Sequence, residues 1–349
     1  MEGPVSGLFD MTSSEFRITL SHGGGGRASS QLIDQLFLKH FNNPLLAKRN
    51  DQAIFQPPTG RLVMSTDSHV VSPLFFPGGN IGSLAVHGTI NDLVMSGAWP
   101  LYLSAAFILE EGLLYADLEK IVISMAEAAH QAGTPIITGD TKVVERGKAD
   151  GVFITTTGIG VVADGVNISG ECATPGCAIL INGTIGDHGV AIMATREHLQ
   201  FASAIASDSA ALHELVASML QVAPGAIRCL RDPTRGGVAA VLNELAMQSG
   251  VGMLLNEQAL PIKPDVQAVC EILGLDPLYV ANEGKLIAIC EADAAADLLA
   301  SMRQHPLGRD AAIIGYVVDE PKTMVEMTTM MGGRRLVDWP LGEQLPRIC

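Results

Sequence analysis

An α/β (α+β) fold in two domains is what this sequence predicts, on three observations. Apolar runs of strand length alternate with amphipathic stretches of helical period, the pattern of helices laid over a sheet. The chain has 349 residues, enough for two domains of ordinary size, each with its own core. Near Gly170–Gly176 the composition turns to Gly, Pro and Cys, a linker signal, and a second alternating set begins beyond it. The expected division is a loose leader over 1–17, an N-terminal domain over 18–170, a C-terminal domain over 171–332 and a mobile tail over 333–349.

The elements follow in order. His22 and the glycine run Gly23–Gly26 precede an amphipathic helix over Ser29–Phe41. Leu62–Thr66 reads as a strand that stops at Asp67. Asn80–Ser96 has helical period, with Val86, Ile90, Leu93 and Val94 on one face and Ile81, Leu84 and Ala85 opposite. That helix should be buried nearly all round. A strand over Leu101–Leu109, a helix over Ala116–Gln131 and strands over Pro135–Thr138 and Val152–Val162 complete the first half. The second half opens with the strand Ala178–Ile181. Helices over His188–Arg196, Asp208–Leu220, Arg235–Gln248 and Pro264–Leu273 follow, and the strands Lys285–Cys290 and Ala311–Val317 close it. Trp339–Cys349 carries Pro340 and Pro346 and should be extended, reaching roughly 30 Å from Pro340.

Composition narrows the function classes. Hydrophobic residues make up 48% and charged residues 17%, which indicates a compact chain. No apolar run approaches the roughly 18 residues needed to cross a bilayer, and Met1–Phe16 lacks the basic and apolar regions of a secretory signal. A formal charge of −15 opposes a nucleic-acid partner. It suits a cytosolic enzyme whose acids hold a divalent cation. The six cysteines do not read as a disulfide framework. Cys172 and Cys177 lack a second pair that would complete a zinc site, and Cys229, Cys270 and Cys290 read as core residues.

The last residue, Cys349, invites chemistry. A thiol at a chain end should not belong to a packed core, and the adjacent carboxylate should raise its pKa above the free value of about 8.5. It is either an accidental exposed thiol or a tethered sulfur that carries a group between sites. Asp92 falls on the second apolar face of its helix, where an unpaired carboxylate calls for a cation or a proton. Asp67 and Asp140 each end an apolar strand, where ligands of open sheets gather, although either alone reads as a turn residue. Three acids brought together would need a hard cation, which suggests Mg²⁺. Lys142 follows Asp140 by two places and suits phosphate as a point charge. Gly24 and Gly25, within the run, could cradle phosphates or serve as a plain linker. Asp232 reads as the N-cap of a helix with Pro233 in its first turn, and Arg235 with Gly236-Gly237 marks an anion site. Glu283 in Asn282-Glu283-Gly284-Lys285 is a candidate base if its loop faces the cleft. Gly186-Asp187-His188-Gly189 reads as a turn with a cap.

Taken together, these stretches resemble a known family. Ser65-Thr66-Asp67-Ser68, Pro77–Gly82, Asn91-Asp92, Gly139–Val144, Arg231–Gly237, Asn282–Lys285 and the ending Pro346-Arg347-Ile348-Cys349 are similar to HypE, the carbamoyl dehydratases of [NiFe]-hydrogenase maturation. These belong to the ATP-binding superfamily typified by aminoimidazole ribonucleotide synthetase. The resemblance runs from about His22 to Cys349, and the terminal Pro-Arg-Ile-Cys is its most specific part. It implies a two-domain fold of that type, a homodimer formed through the N-terminal sheets, and ATP with Mg²⁺ at the cleft. It also implies that a partner carbamoyltransferase, HypF, loads Cys349, that the chain dehydrates the thiocarboxamide to a thiocyanate, and that cyanide passes to iron on a HypC–HypD complex.

Under this resemblance Asp67, Asp92 and Asp140 are the expected metal ligands. Thr66, Asn91, Arg235 and the two glycines join them around ATP, Lys142 meets phosphate, and Glu283 acts as base, although Lys142 and Glu283 could exchange roles. Two rivals stand beside this reading: a superfamily enzyme acting on a free small molecule, and a nucleotide-gated carrier whose cargo is prepared elsewhere.

Overall fold

The computed structural model describes residues 15–197, 205–340, 342 and 347–349. The first half contains β1 (Arg61–His69), a small ribbon of β2 (Phe75–Phe76) and β3 (Gly79–Asn80), then β4 (Trp99–Glu110), β5 (Ile136–Val144) and β6 (Val152–Val162). A helix over 27–41 runs as α1 (Arg27–Leu32), a π-helical stretch Ile33–Leu38 and α2 (Lys39–Phe41). It is followed by α3 (Ile81–Val94) and α4 (Tyr115–Gln131). The main sheet has the order β1-β6-β4-β5, antiparallel except for the parallel pair β4 and β5.

Asn80 starts α3 by accepting the N–H groups of Gly82 and Ser83 on its side chain. Nearly every residue of α3 is buried, as the two apolar faces require. It lies on one face of the sheet, where Thr156 gives its hydroxyl to the Ala85 carbonyl. Thr156 pairs with Asp67 on β1 and with Ala105 on β4, so Asp67 faces α3. Ser65 and His69, two places on either side, share that face. Asp140 pairs with Ala106 instead, one residue out of phase, and therefore points to the other face. Leu62, Met64 and Ile108 are exposed on that open face.

The second half contains β7 (Ala178–Ile181), α5 (Asp187–Arg196), α6 (His213–Val222), β8 (Ile227–Arg231), α7 (Gly237–Ser249) and β9 (Gly252–Asn256). Next come α8 (Pro264–Leu273), β10 (Ile287–Cys290), α9 (Ala295–Gln304), β11 (Ala312–Val318), β12 (Val325–Thr328) and β13 (Arg334–Leu336). The sheet order is β13-β12-β9-β11-β7-β10-β8, and only β12 and β9 run parallel. β7 and β10 are buried throughout, which explains their uniformly apolar sequences. Val238, Val241, Leu242 and Leu245 of α7 pack on one side with Ile179 and Ile181. Leu215, Met219 and Leu298 of α6 and α9 pack on the other, with Leu180 and Ala288.

The second of these layers does not stop at the linker. It is continuous with Leu84, Ile90 and Met125 of the first half, so the largest apolar cluster crosses between the two sheets. Two sequence expectations are also corrected. β1 and β5 run through Asp67 and Asp140 rather than ending there, because Thr and Ser residues beyond the acids continue the ladder. α6 begins at His213, leaving Asp208 in the preceding loop.

Candidate active site

Three loops of the second half meet the continuation of β1. Asn282 joins them: its amide donates to the Pro233 and Val280 carbonyls, and its oxygen accepts the Gly186 N–H. Asp208 accepts the N–H groups of Glu283 and Gly284 and the Lys285 ammonium at 2.8 Å. Burial alone would raise the pKa of Asp208, but Lys285 and these donors hold it below the ordinary value. From the first half, Asn91 donates to the Glu283 and Ala210 carbonyls and accepts the Leu212 N–H. Both amide hydrogens of Asn91 are thus taken by the protein, which makes it a tie between the two halves.

The outcome is a Glu283 fixed from both sides and almost wholly buried, at 3% exposure. Its Oε1 has no hydrogen-bond partner among the described residues. Burial raises its pKa well above the usual carboxylate range, and the neighbouring Asp208, Asp232, Asp67 and Asp92 add to the rise. A carboxyl so placed is a strong proton acceptor once ionised.

The chain's end lies in the same place. The Val70 N–H donates to a carboxylate oxygen of Cys349 at 3.1 Å and the Ser72 N–H to the Arg347 carbonyl at 3.2 Å. Ile348 is 2% exposed and belongs to the large apolar cluster. Arg347 pairs with Asp150. Cys349 is partly buried against that cluster, and its thiol is pushed up to about 12, first by burial and then by Glu283. Asp67 and Asp232 push the same way, while Arg235 opposes them. The expectation that a thiol at the chain end should not belong to a packed core is corrected here: two ladder-type bonds and the Ile348 side chain dock the segment against the large apolar cluster. Residues 341 and 343–346 of the expected tail, like 1–14 of the expected leader, lie outside the described residues.

Beside the thiol is a cavity of about 280 Å³, lined among others by Ser68, Val70, Arg235, Gly236, Tyr279 and Cys349. A second cavity of about 540 Å³ shares Arg235 and is walled by Ser65, Asp92, Arg231, Asp232 and Thr234. Ser65 donates to Asp92 at 2.7 Å, yet burial keeps the Asp92 pKa raised, with Asp67 adding to it. Asp232 is pushed up to about 7 by burial and by the charge of Asp92. It is not a helix cap as expected: α7 starts later, with Gly236 in the cap position at φ 76°.

Carboxyls that raise one another's proton affinity are a donor set short of positive charge, so a divalent cation fits. Among the described residues no three His, Cys, Asp or Glu side chains form a ready cage. Mg²⁺ asks for less, commonly one or two carboxylates with phosphate and water completing its shell.

Asp140 and Lys142 stand elsewhere. They form an exposed ion pair at 2.6 Å on β5, the sheet edge opposite β1, three strand spacings or roughly 14 Å away. Lys142 holds the Asp140 carboxyl below its usual range. The pair lines a third cavity of about 250 Å³ with Gly25, His22, Phe37 and Phe107. Gly24 neighbours it on the same loop, and Thr66 shares the open sheet face, bonded to Thr157 at 2.8 Å. Asp140 therefore does not converge with Asp67 and Asp92 inside one chain, contrary to the sequence reading. His188 was missed altogether. Its only sequence signal was a histidine in a glycine-flanked turn, which ordinarily marks nothing.

Residues 49–162 match the family described as AIR synthase related protein, N-terminal domain, and residues 174–327 match its C-terminal domain. The carbamoyl dehydratase HypE of Cupriavidus necator is 64% identical over 334 residues, covering 95% of each chain. A solved structure of hydrogenase maturation protein HypE in complex with ATP superposes with a TM-score of 0.91 at 52% identity, covering 95% of this chain and 99% of that one. The HypE chain of a HypE–HypF complex gives 0.78 at 50% identity, covering 88% and 99%. Among the described residues no helix is long and apolar enough to cross a membrane.

Proposed function

Because the chain belongs to the AIR synthase related family, and within it to the HypE carbamoyl dehydratases, we propose that it dehydrates its own S-carbamoylated Cys349 at the expense of ATP. The docking of Cys349 beside Glu283 and Arg235, with an open cavity at the sulfur, is the observation that carries this reading.

The chemistry follows from the leaving group. An amide oxygen does not depart as hydroxide, so it first attacks the γ-phosphorus of ATP. The bond from that phosphorus to its bridging oxygen breaks and ADP leaves. Loss of the two nitrogen protons then forms the C≡N bond as the C–O bond breaks and phosphate departs. Glu283 is the base for this step, its raised pKa making its carboxylate the stronger acceptor. Arg235 neutralises charge on the transferred phosphoryl group. Mg²⁺ held with ATP by Asp67 and Asp92 supplies further charge neutralisation. Burial of Glu283 and the docked tail exclude water that would hydrolyse the activated amide.

A homodimer joined through the open face of the four-stranded sheet accounts for its exposed Leu62, Met64 and Ile108. It also gives Asp140, Lys142 and the Gly24–Gly25 loop a role, as the partner's contribution to the nucleotide. HypF loads the thiol, a HypC–HypD complex receives the cyano group, and the setting is the cytoplasm. Mass analysis of the carbamoyl-loaded chain after ATP addition tests the reading. Loss of one water at Cys349 is expected, and a mass that never changes rejects it.

A further inference from the structure

The docked tail is held chiefly by its main chain. The carbonyls of Arg347 and Ile348 and a carboxylate oxygen of Cys349 all have partners, and two of those partners come from α5. His188 Nε2 lies 2.8 Å from the Ile348 carbonyl, and Arg196 Nη2 donates to the Arg347 carbonyl at 2.9 Å while also holding the Ser72 carbonyl. A carbonyl can only accept, so Nε2 of His188 carries the hydrogen. On the other ring nitrogen, Ser207 Oγ sits 2.7 Å from Nδ1, and the same oxygen accepts the Ser209 N–H. Its own hydrogen is thereby directed to Nδ1, and the neutral Nε2–H tautomer is fixed. Burial of the ring keeps it neutral. Phe76 stands edge-on to the ring at 5.6 Å and closes its remaining side. The main chain on either side of His188 is tied to the base loop, since Gly189 N–H donates to the Ala281 carbonyl and Gly186 N–H to Asn282.

We propose that Val70–Ser72, His188 and Arg196 form a main-chain receptor for the last three residues, with His188 the positioning residue that sets the sulfur against Glu283. The receptor's relevance to turnover rests on Cys349 being the cargo site; its existence does not. None of these donors touches the sulfur, so unloaded, carbamoylated and cyanated tails dock alike. The register also specifies the substrate class: an extended C-terminal segment with a buried aliphatic residue before the cysteine and an arginine before that, the latter paired to Asp150.

Alkylation of Cys349 by iodoacetamide in the full chain, followed by mass analysis of the C-terminal peptide, reads the docking directly. The docked thiol is half-covered and protonated, so it reacts through the undocked tail, and Cys172 serves as an internal reference. His188→Phe should raise the Cys349 rate about tenfold relative to Cys172, and His188→Gln, which keeps a donor at the same reach, should restore it to within about threefold. Ser207→Ala, a smaller disturbance, should raise it less. In the same variants dehydration should fall while carbamoyl loading is unchanged or faster. Unchanged alkylation in both His188→Phe and Ser207→Ala, with native thermal transitions, overturns the receptor. Altered alkylation with a Cys349 that is never carbamoylated would instead overturn the cargo reading and leave the receptor standing.

Discussion

The two edges of the four-stranded sheet carry similar short sequences and opposite surroundings. On β1, Ser65 and Asp67 face α3 and are closed over by the second half, where Asp92 of α3 meets Asp232, Glu283 and Cys349. Thr138-Gly139-Asp140 on β5 faces outward, and its acid is satisfied by an exposed lysine two residues away. One edge is enclosed within a single chain; the other is exposed. The lesson is that an acid at the end of an apolar run says nothing about burial until the phase of its pairing is known. One residue of phase separates Asp67 against Thr156 from Asp140 against Ala106.

The enclosed edge should fail hardest. Glu283→Gln should lower nitrile formation by about 10²–10⁴-fold while leaving ATP binding intact, as rapid-quench assays would register. The same variant should be more stable than the parent in alkali. Folding favours the protonated form of Glu283, a stabilisation present in acid and lost as pH climbs through the raised folded pKa. The Gln variant has no such loss, so its advantage in Tm should grow with pH, by about 2–4 °C per kcal/mol. A constant difference across pH would remove the charge argument.

Paired glycine substitutions sharpen the contrast next. A Cβ on Gly284 would stand 1.8 Å from the Asp208 carbonyl oxygen, a main-chain atom that cannot move away. Gly284→Ala should cost about 3 kcal/mol or more, read by urea titration. Gly25 has nothing within 4 Å, and only its φ of +74° opposes a side chain, so Gly25→Ala should cost about 1–2 kcal/mol.

Mixing experiments probe the open edge. Lys142→Ala and Cys349→Ala chains are each expected to be inactive, while a refolded equal mixture should recover about a quarter of the parent's dehydration, because half the dimers carry one intact site. No recovery would place Lys142 with Cys349 of its own chain, against the sheet geometry. The smallest effect belongs to the exposed Lys39–Glu119 pair at 3.3 Å, where Glu119→Gln should shift stability by less than about 0.5 kcal/mol.

Much of the fold was legible because period and length are local properties. The all-buried α3, the alternating β6 and the uniformly apolar β7 announce themselves in composition. Asp92 was legible as an acid out of place on an apolar helix face, whereas Glu283 was a candidate only if its loop faced the cleft. What stayed hidden was set by distant pairing: the docking of Ile348, the tie made by Asn91 and the phase of Asp140 depend on residues about 30 to 280 positions away. Asp208 and His188 carry no local mark at all, since an aspartate and a histidine near glycines and serines ordinarily belong to turns. Asp232 misled because Pro233 mimics a helix start that the two following glycines postpone.

The stoichiometry of ATP use tests the central claim most directly. With fully carbamoylated chain, one ADP should form for each Cys349 converted to thiocyanate, and the unloaded chain should form almost none. Nitrile appearing without ADP, or equal ADP release from the Cys349→Ala chain, would contradict a docked sulfur cargo activated by phosphoryl transfer.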